Sequence, residues 1–201
     1  MTKPRIGVLG IQGAYARHAE MIVLAGGESE IVKYREQLDG LDGLIIPGGE
    51  STTMTKVLGF RITHDDILAF AQHKPVFGTC AGLILIGGGV TDPRVRQLGL
   101  IDVNISRNAY GSQKDSFVSD ISLEFDRGVP FHAVFIRAPL VLSVGGNVTV
   151  LSVHENAPVL IGSGMHLGAT FHPELTHDTR IHRYFIQTVK EVKDGKTTGS
   201  Q

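Results

Sequence analysis

The stretch KPVFGTCAGLI, residues 74–84, decides the fold. A short apolar run ending in Phe77 meets a turn of small residues only: Gly78, Thr79, Cys80, Ala81 and Gly82. An apolar helical pattern follows from about Ala81. In α/β proteins a nucleophile often sits on such a strained strand-to-helix turn, and its neighbours must be small. The turn lifts Cys80 clear of the sheet and places it at a helix N-terminus. There the dipole and the free N–H groups favour a thiolate. The same amides, that of Ala81 above all, are placed to hold a developing oxyanion. A lone cysteine is more often a small buried hydrophobe. The glycine frame weighs against that reading here.

Working outward, RIGVLG (residues 5–10) reads as a strand covered on both faces. YARHAEMIVLAGG (15–27) reads as a helix with Ala19, Ile22, Val23 and Ala25 on its apolar face, closed by Gly26. EIVKY (30–34) and DGLIIPGG (42–49) read as two further strands, and residues 65–72 as a helix before KPVFGT. Strands alternating with helices predict a parallel sheet with right-handed crossovers. The second half changes style. GLIDVNIS, DSFVSDISLEF, AVFIRAP, NVTVLSVHE and APVLIGSG follow one another with turn residues between, as strands that are partly antiparallel. LGATFHPE (167–174) reads as one more strand. DTRIHRYFIQTVKEV (178–192) is an amphipathic helix, capped by Asp178 or Thr179, with Ile181, Phe185, Val189 and Val192 as its stripe. The expectation is a single α/β domain over residues 1–193, a central and mostly parallel sheet flanked by helices with added antiparallel strands. Residues 194–201, DGKTTGSQ, are expected to be a flexible polar tail.

Composition narrows the function. The 201 residues carry a formal net charge of −1, so no basic field favours nucleic acid. No long apolar span favours a membrane. The apolar run at residues 6–11 is broken by Gly7 and Gly10 and falls short of the roughly 7–15 apolar residues of a secretion signal. A single cysteine forms no internal disulfide, which suits a reducing, cytoplasmic setting.

A thiolate needs a base, and the base needs an orienting group. Of nine histidines, His172 stands out in FHPEL, followed by Pro173 and Glu174. Proline biases the preceding residue to extended backbone, and an extended chain sends alternate side chains to one side. His172 and Glu174 are thus expected to face one cleft, the carboxylate holding the imidazole in one tautomer. PGGEST (47–52) is the third segment. Gly48 and Gly49 let backbone amides approach a ligand, Gly48 completing an oxyanion hole opposite Ala81. Glu50 suits an ammonium group. Read alone, the segment is an ordinary turn with Ser51 or Thr52 as N-cap.

PGGEST, GTCAGL and FHPEL, in this order, resemble the class I glutamine amidotransferase family. GVLGIQGA, RNAYG, VFIRAP and TFHPELT narrow the resemblance to the glutaminase subunits of pyridoxal 5′-phosphate synthases, over residues 5–192. The resemblance implies hydrolysis of L-glutamine to glutamate and ammonia. Cys80 would attack the side-chain amide, His172 would move protons and Glu174 would orient His172. It also implies contacts to glutamine from Gly48, Gly49, Glu50, Arg107, Ile136 and Arg137. A guanidinium such as Arg107 suits an α-carboxylate, which it binds through two hydrogen bonds. No cofactor is implied. The implied partner is a (β/α)8 synthase subunit in a large hetero-oligomer, pressing near Gln12 and Gly13, without which the glutaminase is weak or silent. A related glutaminase serving histidine or purine synthesis, or a member that binds its partner without turnover, remains the alternative.

Two further patterns carry little. Gly7, Gly10 and Gly13 are not spaced as a GxGxxG dinucleotide fingerprint requires. His166, His172, His177 and His182 lie close in sequence but lack a second cysteine as a soft ligand, so no metal is expected.

Overall fold

The computed structural model describes residues 2–59, 61–90, 94–107 and 116–195. Its main sheet has five parallel strands: β1 (Arg5–Leu9), β2 (Glu28–Val32), β3 (Gly43–Ile46), β4 (Val76–Thr79) and, from far along the chain, β12 (His166–Ala169). Two antiparallel strands, β10 (Val148–His154) and β11 (Ala157–Ser163), extend it beyond β12. The order across the sheet is β10-β11-β12-β4-β3-β1-β2.

Both faces of this sheet are covered, as continuous apolar strands require. The period-two alternation divides the side chains between two cores. Leu44, Ile46 and Val76 face one core and meet α2 (Ser51–Val57), α3 (His64–Ala71) and α4 (Ala81–Ile86) through Met54, Ile67 and Leu83. Ile6, Val8, Ile45 and Phe77 face the other and meet α1 (Tyr15–Leu24) and α5 (Arg180–Lys193) through Ile22, Ile181, Phe185 and Val189. Outside the main sheet, β5 (Gly87–Val90), β6 (Ile101–Ser106) and β9 (Leu140–Val144) form a three-stranded sheet. β7 (Ser116–Leu123) and β8 (Asp126–Ile136) form an antiparallel hairpin.

The structure departs from the sequence reading in several places. β5 and β9 were not expected, and β5 is written almost wholly in glycine. The buried face of α1 is His18, Met21 and Ile22, while Val23 is 58% exposed. The core stripe steps 18–21–22–25, and a polar residue at its head hid it. Helix α2 is capped by Glu50, not by Ser51 or Thr52: its carboxylate accepts the N–H groups of Thr52 and Thr53. At α5 the Asp178 carboxylate accepts the Arg180 N–H at 3.0 Å, while Thr179 makes no side-chain cap bond. His182 and Ile186 join the buried stripe there, and Val192 is only half-buried. The expected tail falls, from residue 196 on, outside the described residues. Among the described residues no helix is long and apolar enough to cross a membrane.

The small residues of the cysteine turn answer to close packing. A Cβ on Gly82 would lie 1.9 Å from the Ile46 carbonyl oxygen, and one on Gly78 would lie 2.6 Å from the Gly82 backbone. Backbone cannot step aside cheaply in a packed sheet. Gly82→Ala is therefore expected to cost about 2–4 kcal/mol of stability, of the order of severe overpacking. Urea unfolding monitored by circular dichroism checks it.

Candidate active site

Parallel strands bring their carboxyl ends to one rim, where open α/β sheets place ligands. The chain leaves β1 into residues 11–14, β3 into Pro47–Gly48–Gly49, β4 directly into Cys80, and β12 through Thr170 and Phe171 into His172. Pairing of β12 beside β4 joins segments that the sequence keeps far apart. The Cys80 N–H donates to the Ala169 carbonyl at 2.8 Å, and the His172 N–H donates to the Val134 carbonyl at 2.9 Å.

Cys80 occupies a strained conformation, φ 50° and ψ −107°, immediately before α4. Such backbone persists only where surrounding structure holds it. Its Sγ lies 3.7 Å from the Ile136 carbonyl oxygen. His172 Nδ1 lies 2.8 Å from Glu174 Oε1, and the ring also hydrogen-bonds the Cys80 thiol. With Nδ1 donating to the carboxylate, Nε2 is the nitrogen left for sulfur. Burial disfavours the imidazolium, but its hydrogen bonds to Cys80 and Glu174 outweigh this and push the His172 pKa up to about 10. Burial also works against the Glu174 anion, yet His18 and His172 together hold its carboxyl well below the usual range.

The expected extended geometry at FHPEL is not what aligns these two side chains. Pro173–Leu175 form a 3-10 turn, with Leu175 N–H donating to the His172 carbonyl at 3.2 Å. The bias of proline for the first position of a helical turn prevails, and the turn folds Glu174 back beneath the ring. Glu174 is 2% exposed.

A cavity of about 210 Å³ opens in front of the thiol. That is room for a small molecule rather than a polymer. Cys80, Ala81, His172, Gly48, Gly49, Glu50, Arg107, Ile136 and Arg137 all line it. Glu174, the remaining residue singled out by sequence, lies behind His172. A Cβ on Gly48 would sit 2.5 Å from His172 Cε1 and 3.2 Å from Cys80 Cβ, so glycine keeps the gap between them open. Glu50 and Arg107 are neighbours, with Oε1 and Nη2 3.5 Å apart. Hydrogen bonds from the Thr52 and Thr53 hydroxyls lead in pulling the Glu50 pKa down to about 2. Asn108 to Gly111 of the RNAYG segment lie outside the described residues.

Two residues at the rim carried less sequence signal. Gly13 has φ +79°, and a Cβ there would lie 1.8 Å from the Gly48 carbonyl oxygen. Gln12 Oε1 accepts the Glu50 N–H at 3.0 Å. The loop after β1 thus clamps the glycine turn after β3. Beneath the site His18, fully buried, touches Glu174. Sequence reasoning missed it, since a histidine inside a helical stripe looks like surface.

A family model, the SNO glutamine amidotransferase family, matches residues 8–191. The chain belongs to that family. Among its similar relatives are two proteins named pyridoxal 5′-phosphate synthase subunit PdxT. The one from Solibacter usitatus is 46% identical over 90% of this chain and 97% of its own length. The one from Thermotoga neapolitana is 46% identical over 92% of this chain and 100% of its own length. A crystal structure of a glutamine amidotransferase superposes with a TM-score of 0.85 at 39% identity, covering 92% of this chain and 98% of its own. The α/β fold with its mostly parallel central sheet is therefore shared with a solved amidotransferase.

Buried histidines shape the pH dependence of stability. Burial pushes the His166 pKa down to about 4; burial and the neighbouring His18 push His182 down to about 3, against Glu174. Both rings are neutral in the fold, while unfolded histidines take up protons below the ordinary value of about 6.5. The unfolded state then binds more protons, so stability falls as pH drops below that value. His172 acts oppositely. Its contribution is present below 6.5 and is lost as pH rises through about 10. His182→Phe is expected to flatten the acid-side slope by up to about 1.4 kcal/mol per pH unit, one proton's worth. Urea unfolding at pH 7, 6 and 5 measures it.

Proposed function

We propose that this chain is a glutaminase that hydrolyses L-glutamine to L-glutamate and ammonia through a thioester on Cys80, and that its ammonia serves vitamin B6 synthesis. The observation that carries the reading is the pairing of thiol and imidazole on the wall of an amino-acid-sized cavity, with a buried carboxylate behind the imidazole. Full-length relatives named as pyridoxal 5′-phosphate synthase subunits support the destination of the ammonia.

The thiolate of Cys80 attacks the side-chain amide carbon. The N–H groups of Ala81 and Gly48 are the proposed hole for the oxyanion, where preorganised donors stabilise developing charge. The His172 imidazolium gives its proton to the departing nitrogen, and ammonia leaves. His172, now neutral, takes a proton from water, whose oxygen attacks the γ-glutamyl thioester and expels the thiolate. Glu174 keeps Nδ1 protonated throughout. Arg107 and Glu50, side by side, match the adjacent carboxylate and ammonium of a free α-amino acid. Gly49, Ile136 and Arg137 form the rest of the glutamine pocket. This pairing favours free glutamine over a peptide-bound side chain, which carries neither charge.

The proposed partner is a (β/α)8 pyridoxal 5′-phosphate synthase subunit, joined in a cytoplasmic hetero-oligomer. A glutaminase assay with and without the purified synthase tests the reading. Glutamate release stimulated by that synthase, with pyridoxal phosphate formed from glutamine, is the expected result. Stimulation by a histidine- or purine-pathway synthase instead would reassign the partner. No glutamate release at saturating synthase would leave a binding protein without turnover.

A further inference from the structure

Behind the residues that face the cavity lies a second set of imidazoles. His18 Nε2 is 3.2 Å from Glu174 Oε2 and 3.2 Å from Thr79 Oγ1. His18 Nδ1 is 3.0 Å from His182 Nε2. Both rings are 0% exposed. Glu174 Oε2 is buried without a well-aligned hydrogen bond among the described residues, and His18 Nε2, at ion-pair distance, is the group that faces it. A buried carboxylate oxygen left unpaired is costly, so this contact decides how the carboxylate sits. The two rings come from different elements, α1 and α5, and meet only beneath the site.

The hydrogen-bond directions follow from one unmatched atom. His182 Nδ1 is buried without a partner among the described residues. A buried orphan N–H is rarer and worse than an orphan acceptor. The single proton of His182 therefore resides on Nε2 and is donated to His18 Nδ1. The His18 proton then resides on Nε2, directed at Glu174 Oε2 and Thr79. On the other side Glu174 Oε1 accepts from His172 Nδ1. The donors converge on the carboxylate: His182 donates to His18 and His18 faces Oε2 from one side, while His172 donates to Oε1 from the other.

We propose that His18, backed by His182, is a positioning residue for glutamine hydrolysis: it clamps the far oxygen of Glu174 so that the near oxygen holds His172 at the thiol. This rests on the glutaminase reading above. His18 touches neither substrate nor sulfur. It acts through the carboxylate, as an outer partner orients a reacting group.

The test compares His18→Leu, which fills the space without a donor, with His18→Gln, whose amide N–H can occupy the place of Nε2. Each is assayed with the synthase for glutamine kinetics, and alone for the pH dependence of Cys80 alkylation by iodoacetamide. His18→Leu should lower kcat about 10- to 100-fold, the scale of a small misplacement, with KM within about twofold. A weakened imidazolium makes the thiolate harder to form, so its alkylation profile should move up by about one pH unit. His18→Gln should recover most of both losses. A merely structural role would lower the unfolding midpoint of both variants and leave the profile in place. An unmoved profile in folded His18→Leu, or a glutamine variant no better than leucine, overturns the proposal. Should His18→Leu not fold, His182→Phe decides: a smaller shift in the same direction supports it, and no shift overturns it. The alkylation arm needs no turnover, so a wild-type protein that fails to hydrolyse glutamine refutes the functional reading and not this one.

Discussion

Cys80→Ala should abolish glutamine hydrolysis, with a loss of about 10^4-fold or more, the scale seen when a covalent nucleophile is removed. No other cysteine exists in the chain to substitute for it. The fold should survive. Alanine is smaller, makes no new contact, and leaves Gly78 and Gly82 in their packed places. The positive φ at position 80 keeps a modest strain, since alanine also prefers negative φ. The variant should still bind glutamine, because Arg107, Glu50 and the glycine turn are intact. With the synthase present, it should form product only from added ammonium salt. Retained glutamine-dependent turnover in Cys80→Ala would remove the thioester from the mechanism.

The second large effect is His172→Asn. Asparagine can place an amide near Nδ1 and so keep a bond to Glu174, but it has no atom at Nε2. The proton relay to sulfur and to the leaving nitrogen is then gone. A loss of about 10^3-fold or more in kcat/KM is expected, as for removal of a general acid and base. Glu174→Gln should cost less, about 10^2-fold, because it perturbs orientation rather than proton transfer. Two histidine donors converge on Glu174, and an amide offers only one acceptor oxygen to them. Steady-state glutaminase assays on the three variants set the order. If Glu174→Gln proves worse than His172→Asn, the roles of base and orienter are exchanged.

Much of this site is legible in the amino-acid sequence because its demands are local. The close approach of the Ile46 carbonyl oxygen leaves glycine no rival at position 82, so the turn writes itself as G-T-C-A-G. The alternation of apolar strand and helix, from β1 to α4, follows from burial of both sheet faces. What escaped reading was set by distance or by lack of side chains. β5 has no pattern to show, since its glycines alternate with nothing. The exposure of Val23 depends on where α5 lies, and the role of His18 on Glu174 arriving from the far end of the chain. At His172 two rules about proline disagreed, one for an extended predecessor and one for a helical turn. The 3-10 turn prevailed at Pro173, while His172 itself stayed outside the helical region, at φ −108° and ψ 84°.

The position of β12 has a kinetic corollary. It is encoded late, yet it occupies an interior place in the sheet, between β11 and β4. On the ribosome the sulfur-bearing turn therefore emerges and collapses well before its imidazole exists to meet it. Closure over so long a loop is slow, since non-local pairings are formed late. Until that ribbon slots in, His172 is not beside the thiol. On the proposed mechanism, a change in sulfur alkylation during refolding should report that docking step.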